Sequence, residues 1–193
     1  MARWEPHARE RLERAALALF VERGYDATTV AEIAERAGLT KSTFFRQFAD
    51  KREVLMGVQD FLSDLFSGAI AAAPLAATAI DCLAAALESA GPAFTPERHD
   101  FAQQRRGVIA ANSELQEREL LKRARLATAI ADALRARGMD DMSARLAAQM
   151  GVLAFSTTVA RWSEPANQQP FTMIARTSLR ELQTRATLLG DQN

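Results

Sequence analysis

The stretch Thr29–Phe48, TVAEIAERAGLTKSTFFRQF, decides how this chain is read. Thr29 followed three residues on by Glu32 is a capping box, in which each side chain satisfies a backbone N–H that the first helical turn leaves without a partner. A helix is therefore predicted from Val30. Val30, Ile33, Ala34 and Ala37 recur at i, i+3, i+4 and i+7, so one stripe faces a core while Glu32, Glu35 and Arg36 stay in water. Gly38 ends this helix, because glycine takes the left-handed C-terminal conformation without steric cost. A second helix follows at once, with Thr40 as its N-cap and Phe44 and Phe48 anchoring its inner face. Lys41, Ser42, Phe45, Arg46 and Gln47 are left on its other sides. Two short helices around a glycine turn, the second bearing cationic and amide side chains, form a helix-turn-helix whose second helix suits a DNA major groove. Lysine and arginine match guanine edges and phosphates, glutamine matches adenine, and hydroxyls match either.

The flanks sharpen this pattern. Upstream, RERLERAALALFVERGYDATTV gives a helix ending in Gly24-Tyr25; downstream, FADKREVL starts a new helix directly after Phe48. From about His7 to Phe61 the chain resembles the N-terminal DNA-binding domain of the tetracycline-repressor (TetR) family of bacterial regulators. The residues that carry the resemblance are Phe20, Gly24, Tyr25, Thr28-Thr29-Val30, Ile33-Ala34, Ala37-Gly38, Ser42-Thr43, Phe48 and Lys51. Together with their places in the helix pair, the resemblance puts Lys41, Ser42 and Gln47 at base edges and Thr29, Thr43 and Lys51 on phosphates, with Arg46 beside them. The family commonly carries tyrosine where Phe45 stands. Without the hydroxyl, Phe45 is expected to meet a thymine methyl or a sugar instead of a phosphate.

Composition narrows the remaining possibilities. At 193 residues and 48% hydrophobic, the chain can bury a sizeable core. Its net charge of zero argues against a general polyanion binder, so nucleic acid must be met by a local patch. Arg36, Lys41, Arg46, Lys51 and Arg52 supply one, with Asp50 among them. The single cysteine, Cys82, and two separated histidines form no metal-ligand cluster and no internal disulfide, which suits a reducing cytoplasm. The N-terminus mixes arginines with glutamates and does not read as a signal peptide. The alanine-rich run from Gly68 to Phe94 is broken by Pro74, Asp81, Glu88 and Pro92 and does not read as a membrane span.

No run of alternating β-branched residues appears, so the fold is predicted to be all-α, with about nine helices. The first spans roughly Pro6 to Arg23, with Leu12, Ala16, Leu19 and Phe20 inward; Met1 to Glu5 reads as a loose arm carrying Arg3 or as a frayed end. Asp50 and Glu53 begin the fourth, which runs through Val58, Phe61, Leu65 and Phe66 toward Pro74, with Gly57 as a place where it can bend. Further helices are expected from Pro74 to Ala90, from Pro96 to Ala111, from Ser113 to Arg137 with Gln116 completing a capping box, from Ser143 to Trp162, and from Gln168 to Leu189. The division expected is a DNA-binding domain at 7–66, with its helix-turn-helix at 29–48, and an effector-binding and dimerisation domain at 67–193.

Catalytic chemistry finds no foothold: the histidines are isolated, no glycine-rich phosphate loop or nucleophile elbow is present, and Asp140-Asp141 precedes a helix as a cap. No cofactor is expected. The resemblance implies a small-molecule pocket in the second part, for which Phe61, Leu65, Cys82, Phe101, Arg105 and Arg106 are candidates, against an alternative in which the same residues are solid core. Asp81, His99, Gln103 and Gln104 are further polar candidates. Near the C-terminus Ala147, Gly151 and Ala154 make a small-residue surface flanked by Phe155 and Trp162, opposite Ile174 and Leu182 on the last helix. Either these helices cap the subunit's own core or, as the resemblance implies, they build a homodimer interface. The function expected is a cytoplasmic, ligand-responsive repressor released from a pseudo-palindromic operator by an apolar or amphipathic effector. Its rival is a constitutive DNA binder with a packed second domain.

Overall fold

The computed structural model describes residues 7–56 and 59–190, with the backbone alone at 59, 60 and 190. Every regular element among them is helical: α1 (Ala8–Arg23), α2 (Val30–Arg36), α3 (Lys41–Gln47), α4 (Glu53–Met56), α5 (Gln59–Ala72), α6 (Ala79–Ser89), α7 (His99–Ala110), α8 (Ser113–Ala136), α9 (Asp141–Trp162) and α10 (Phe171–Gly190), with two short 3-10 turns between α6 and α7. The all-α expectation holds. Gly57 and Val58, where a bend was expected, lie outside the described residues, as does the arm with Arg3; α4 and α5 taken together give the expected nine.

Helix starts and caps differ from the sequence reading at several places: α7 begins at His99 after a 3-10 turn from Pro96, and α10 begins at Phe171 instead of Gln168. The sixth helix begins after Thr78 instead of at Pro74, because Thr78 and Asp81 form a reciprocal capping box, with Thr78 N–H donating to Asp81 at 2.9 Å. Pro74 opens a turn closed by the N–H of Ala77. At α8 the cap is Asn112, whose side-chain oxygen accepts from the N–H of Leu115 at 3.2 Å. Gln116 donates to the Ala110 carbonyl instead of completing a box with Ser113. Asp140 caps α9 as read, accepting from Ser143 N–H at 3.0 Å.

Compactness divides the chain differently from a split in chain order. One unit comprises residues 1–57 with 100–120, and the other 58–99 with 121–193. In the first, Leu12, Leu19, Phe20, Ile33, Phe44, Phe48, Val54 and Leu55 form one buried cluster, which Ile109 of α7 and Leu115 of α8 complete. Burying each such side chain is worth about 1.5–3 kcal/mol, which lets seven-residue helices too short to stand alone persist.

In the second unit α9 packs on α10 and α6, and α5 on α6. The stretch 53–72 has a mean hydropathy of 1.2, yet Phe66 and Ile70 on it are fully buried in protein. Phe94 stacks on Phe171 at 4.0 Å, with Trp162 and Phe155 edge-on to it.

Candidate nucleic-acid interface

The reading pair is set by four local devices. Thr29 accepts from the N–H of Glu32 at 3.3 Å while the Glu32 carboxylate accepts from the N–H of Thr29 at 2.8 Å, the reciprocal box read from the sequence. Gly38 turns the chain at φ 64°, with its N–H bonded to Glu35 and that of Leu39 to Ala34. Thr40 caps α3 by accepting from Thr43 N–H at 3.1 Å. Phe44 and Phe48 are buried with ring centroids 5.4 Å apart and hold the inner face.

Two arginines of α1 that sequence reasoning passed over fix this pair from below. Arg11 donates to the carbonyls of Ala37 and Gly38 at the end of α2. Arg9 donates to the Gln47 carbonyl at 3.0 Å, at the end of α3, and lies 4.4 Å from the centre of the Phe48 ring. Each places a cation where helix carbonyls lack partners and the dipole is negative. The only sequence signal is their spacing on α1, which is shared with many surface arginines.

On the outward side of α3, Lys41, Ser42, Phe45 and Arg46 are exposed together. Lys41 lies 5.9 Å from the Phe45 ring and Arg46 donates to Thr43, and among the described residues neither cation is paired with a carboxylate. Arg36 and Arg52, counted in the basic patch from sequence, are held instead by Glu22 at 2.8 Å and Asp50 at 2.6 Å. The usable positive charge is thereby concentrated on α3.

Four other expected DNA contacts have different surroundings. Thr43 is 6% exposed and its hydroxyl is engaged by Thr40 at 3.0 Å and Arg46 at 3.1 Å, so it stiffens α3 from inside. Lys51 donates to the carbonyls of Tyr25 at 2.8 Å and Thr28 at 3.0 Å, with its ammonium 4.1 Å from the centre of the Tyr25 ring. It pins the loop before α2, a role its surface-like sequence context did not announce. Gln47 is half-buried at the end of α3, and Thr29 is exposed with its hydroxyl donating to Glu32.

Polar links bind the start of α8 to this unit. Asp50 accepts from Arg52 and from the N–H of Glu53 and faces Arg118 at 3.4 Å. Partial burial pushes the Asp50 carboxyl up, but the bonds from Arg52 and Glu53 and the charges of Arg52 and Arg118 outweigh it and leave the pKa lowered. Burial, with Glu114 and Asp50 nearby, raises that of Tyr25, whose hydroxyl lies 3.4 Å from Glu114, a long contact for such a pair.

The effector candidates are distributed over both units. Phe101 packs on the helix-turn-helix cluster, and Arg105 is tied to the Leu55 carbonyl and to Glu119 at 2.9 Å, so the anion it meets is the protein's own. Arg106 is exposed on α7. In the second unit Phe61 is 50% exposed, Leu65 half-buried, and Cys82 buried. Asp81 is engaged as a cap. An open groove of about 360 Å³ lies there among Arg161, Glu164, Ala166, Asn167, Gln169, Ile174 and Thr177. Among the described residues no group of three His, Cys, Asp or Glu side chains gathers as a metal site.

The interface candidates face inward. Ala147, Gly151, Ala154, Trp162 and Ile174 are buried within the subunit, while Phe155 and Leu182 are half-buried. A Cβ at Gly151 would meet Leu83 at 2.7 Å and Ile130 at 3.4 Å, so the small residues admit α6 and α8 of the same chain. Met142, Leu146 and Leu153 of α9 and Met173 of α10 are instead exposed.

A buried helix pair that presents one cationic helix to solvent defines a DNA-binding transcription regulator of the helix-turn-helix type. Comparison with known proteins agrees. The family model for bacterial regulatory proteins of the tetR family matches residues 13–57. The transcriptional activator FasR of Mycolicibacterium smegmatis is 32% identical over 155 residues, covering 77% of this chain and 68% of FasR. The chain belongs to the TetR family. The regulator TcmR of Streptomyces glaucescens is 35% identical over 81 residues, covering 42% of this chain and 36% of TcmR. The fold is similar to that of FadR from Bacillus subtilis, solved in complex with stearoyl-CoA, with a TM-score of 0.61 and 20% identity over 90% of this chain and 96% of FadR.

Proposed function

We propose that this regulator is a cytoplasmic homodimer that represses transcription from a pseudo-palindromic operator and is released by an amphipathic effector with an acyl chain. The observation that carries the DNA-reading half of this proposal is the outward face of α3, where Lys41, Ser42, Phe45 and Arg46 stand exposed and, among the described residues, no carboxylate pairs with the two cations. Lys41, Ser42 and Gln47 read bases, Arg46 and Thr29 meet the backbone, Lys51 acts by pinning the loop before α2, and Thr43 acts by stiffening α3. Two such heads, one per subunit, read half-sites about 34–36 Å apart or a multiple of that.

The effector class is suggested by the stearoyl-CoA bound to FadR, whose fold this chain shares. Phe61, Leu65 and Cys82, all of the second unit, are the proposed apolar contacts, and Arg105 is set aside for the anionic end because Glu119 already occupies it. Effector and operator are then linked: whatever factor the effector takes from operator affinity, the operator takes from effector affinity. Calorimetric titration of acyl-CoAs of varied length into free and operator-bound protein tests this, and equal affinities in the two states would remove the switch. A constitutive regulator is the second reading, favoured by the close packing of Gly151 against Leu83 and Ile130. It predicts no rise in melting temperature with any acyl-CoA, since a filled interior has nothing to bind.

A further inference from the structure

We infer that Phe45 is a specificity-determining residue that reads the 5-methyl group of a thymine in each operator half-site. The side chain is 50% exposed on the same face of α3 as Lys41, Ser42 and Arg46, an unusual place for a bare aromatic ring in the free protein. A phenyl ring carries no donor or acceptor, so it cannot bond a phosphate or a base edge. What it can distinguish is apolar surface, and on the base edges of the major groove that is the thymine methyl. Its position is fixed: the ring stands edge-on to Phe44 at 5.5 Å and 82°, and Phe44 is itself fully buried. Lys41 brackets the other side, its ammonium 5.9 Å from the ring centre, so an apolar reader and a cationic reader sit one helical turn apart.

This inference rests on α3 being the helix that enters the groove, and the two can fail separately. Duplexes selected from a random library by the full-length protein serve as probes, with each thymine replaced in turn by deoxyuridine, which lacks only the methyl. One thymine per half-site is expected to show a loss of about fourfold on replacement, the worth of one buried methyl. That loss should vanish in Phe45→Ala, for which thymine and uracil duplexes bind alike, and persist in Lys41→Ala. It should also be independent of salt, because no charge is involved. The uracil series on the unaltered protein needs no variant, so a misfolded Phe45→Ala cannot rescue the idea. If no thymine responds, or if the response survives in Phe45→Ala or Phe45→Ser, Phe45 is not the reader. If Lys41→Ala changes neither affinity nor salt slope, the assignment of α3 itself fails.

Discussion

Lys51 and Arg46 carry the same charge and are expected to behave differently when removed. Arg46 is exposed and bonded to Thr43, whereas two of the donors of Lys51 are taken by the Tyr25 and Thr28 carbonyls. Arg46→Ala should therefore lower the dependence of log affinity on log salt by about one, as the loss of one phosphate contact does. Lys51→Ala should leave that slope nearly unchanged, destabilise the protein by about 1–3 kcal/mol through the loss of two charge-assisted bonds to the Tyr25 and Thr28 carbonyls, and weaken all duplexes alike. Titrations at several salt concentrations together with urea unfolding separate these outcomes. A steep loss of salt dependence in Lys51→Ala would return Lys51 to the phosphate backbone. Thr29→Ala should cost about 1 kcal/mol of unfolding free energy, since it removes one half of a capping box that is fully formed.

At the level of elements, α1 acts as a frame: Arg11 closes α2, Arg9 closes α3, and the buried Leu12, Leu19 and Phe20 seat both. Arg9→Met keeps much of the packing on Phe48 and loses the bond to Gln47, so it should cost about 0.5–1.5 kcal/mol and soften α3, as seen in hydrogen exchange at Phe44 to Phe48. The contacts of Asp50 and Tyr25 with their neighbours add a pH dependence whose two limbs have definite signs. Asp50 has its pKa lowered by folding, so its contribution is present above the unfolded value of about 3.9 and is lost as pH falls through the folded value. Tyr25 has its pKa raised, so its contribution is present below about 10 and is lost as pH climbs beyond that. Urea midpoints measured across pH should show less of the acid limb in Asp50→Asn and less of the alkaline limb in Tyr25→Phe. Unchanged limbs in both variants would mean that these contacts are not maintained in solution.

For the molecule as a whole, the question is which surface makes the proposed dimer. Gly151 faces Leu83 and Ile130, so Gly151→Glu should unfold the subunit by burying an unpaired charge, and cannot report on association. Leu146 is 67% exposed and Met142 74%, on one side of α9, and Leu146→Asp should leave each subunit folded while shifting sedimentation from dimer to monomer. A dimer that survives Leu146→Asp and Met142→Asp together would place the interface elsewhere.

The reading pair was legible in the sequence because everything that makes it is local. The Thr29–Glu32 box, the Gly38 turn, the Thr40 cap and the spacing of Phe44 and Phe48 all act within one or two turns of helix, where sequence distance and spatial distance are the same thing. The all-α class followed from the same periodicity. A wrong start before Thr78 and a wrong cap at Asn112 arose where a proline or a serine resembled a cap and a better acceptor lay nearby. Tertiary structure alone decided that Lys51 and Arg105 are already bonded, that Arg9 and Arg11 hold the two short helices, that residues 100–120 join the first unit, and that Gly151 faces its own subunit. Each of these joins residues distant in sequence. A charged side chain or a small residue carries the same local signal whether it meets solvent, DNA or its own chain, so only folding assigns its partner.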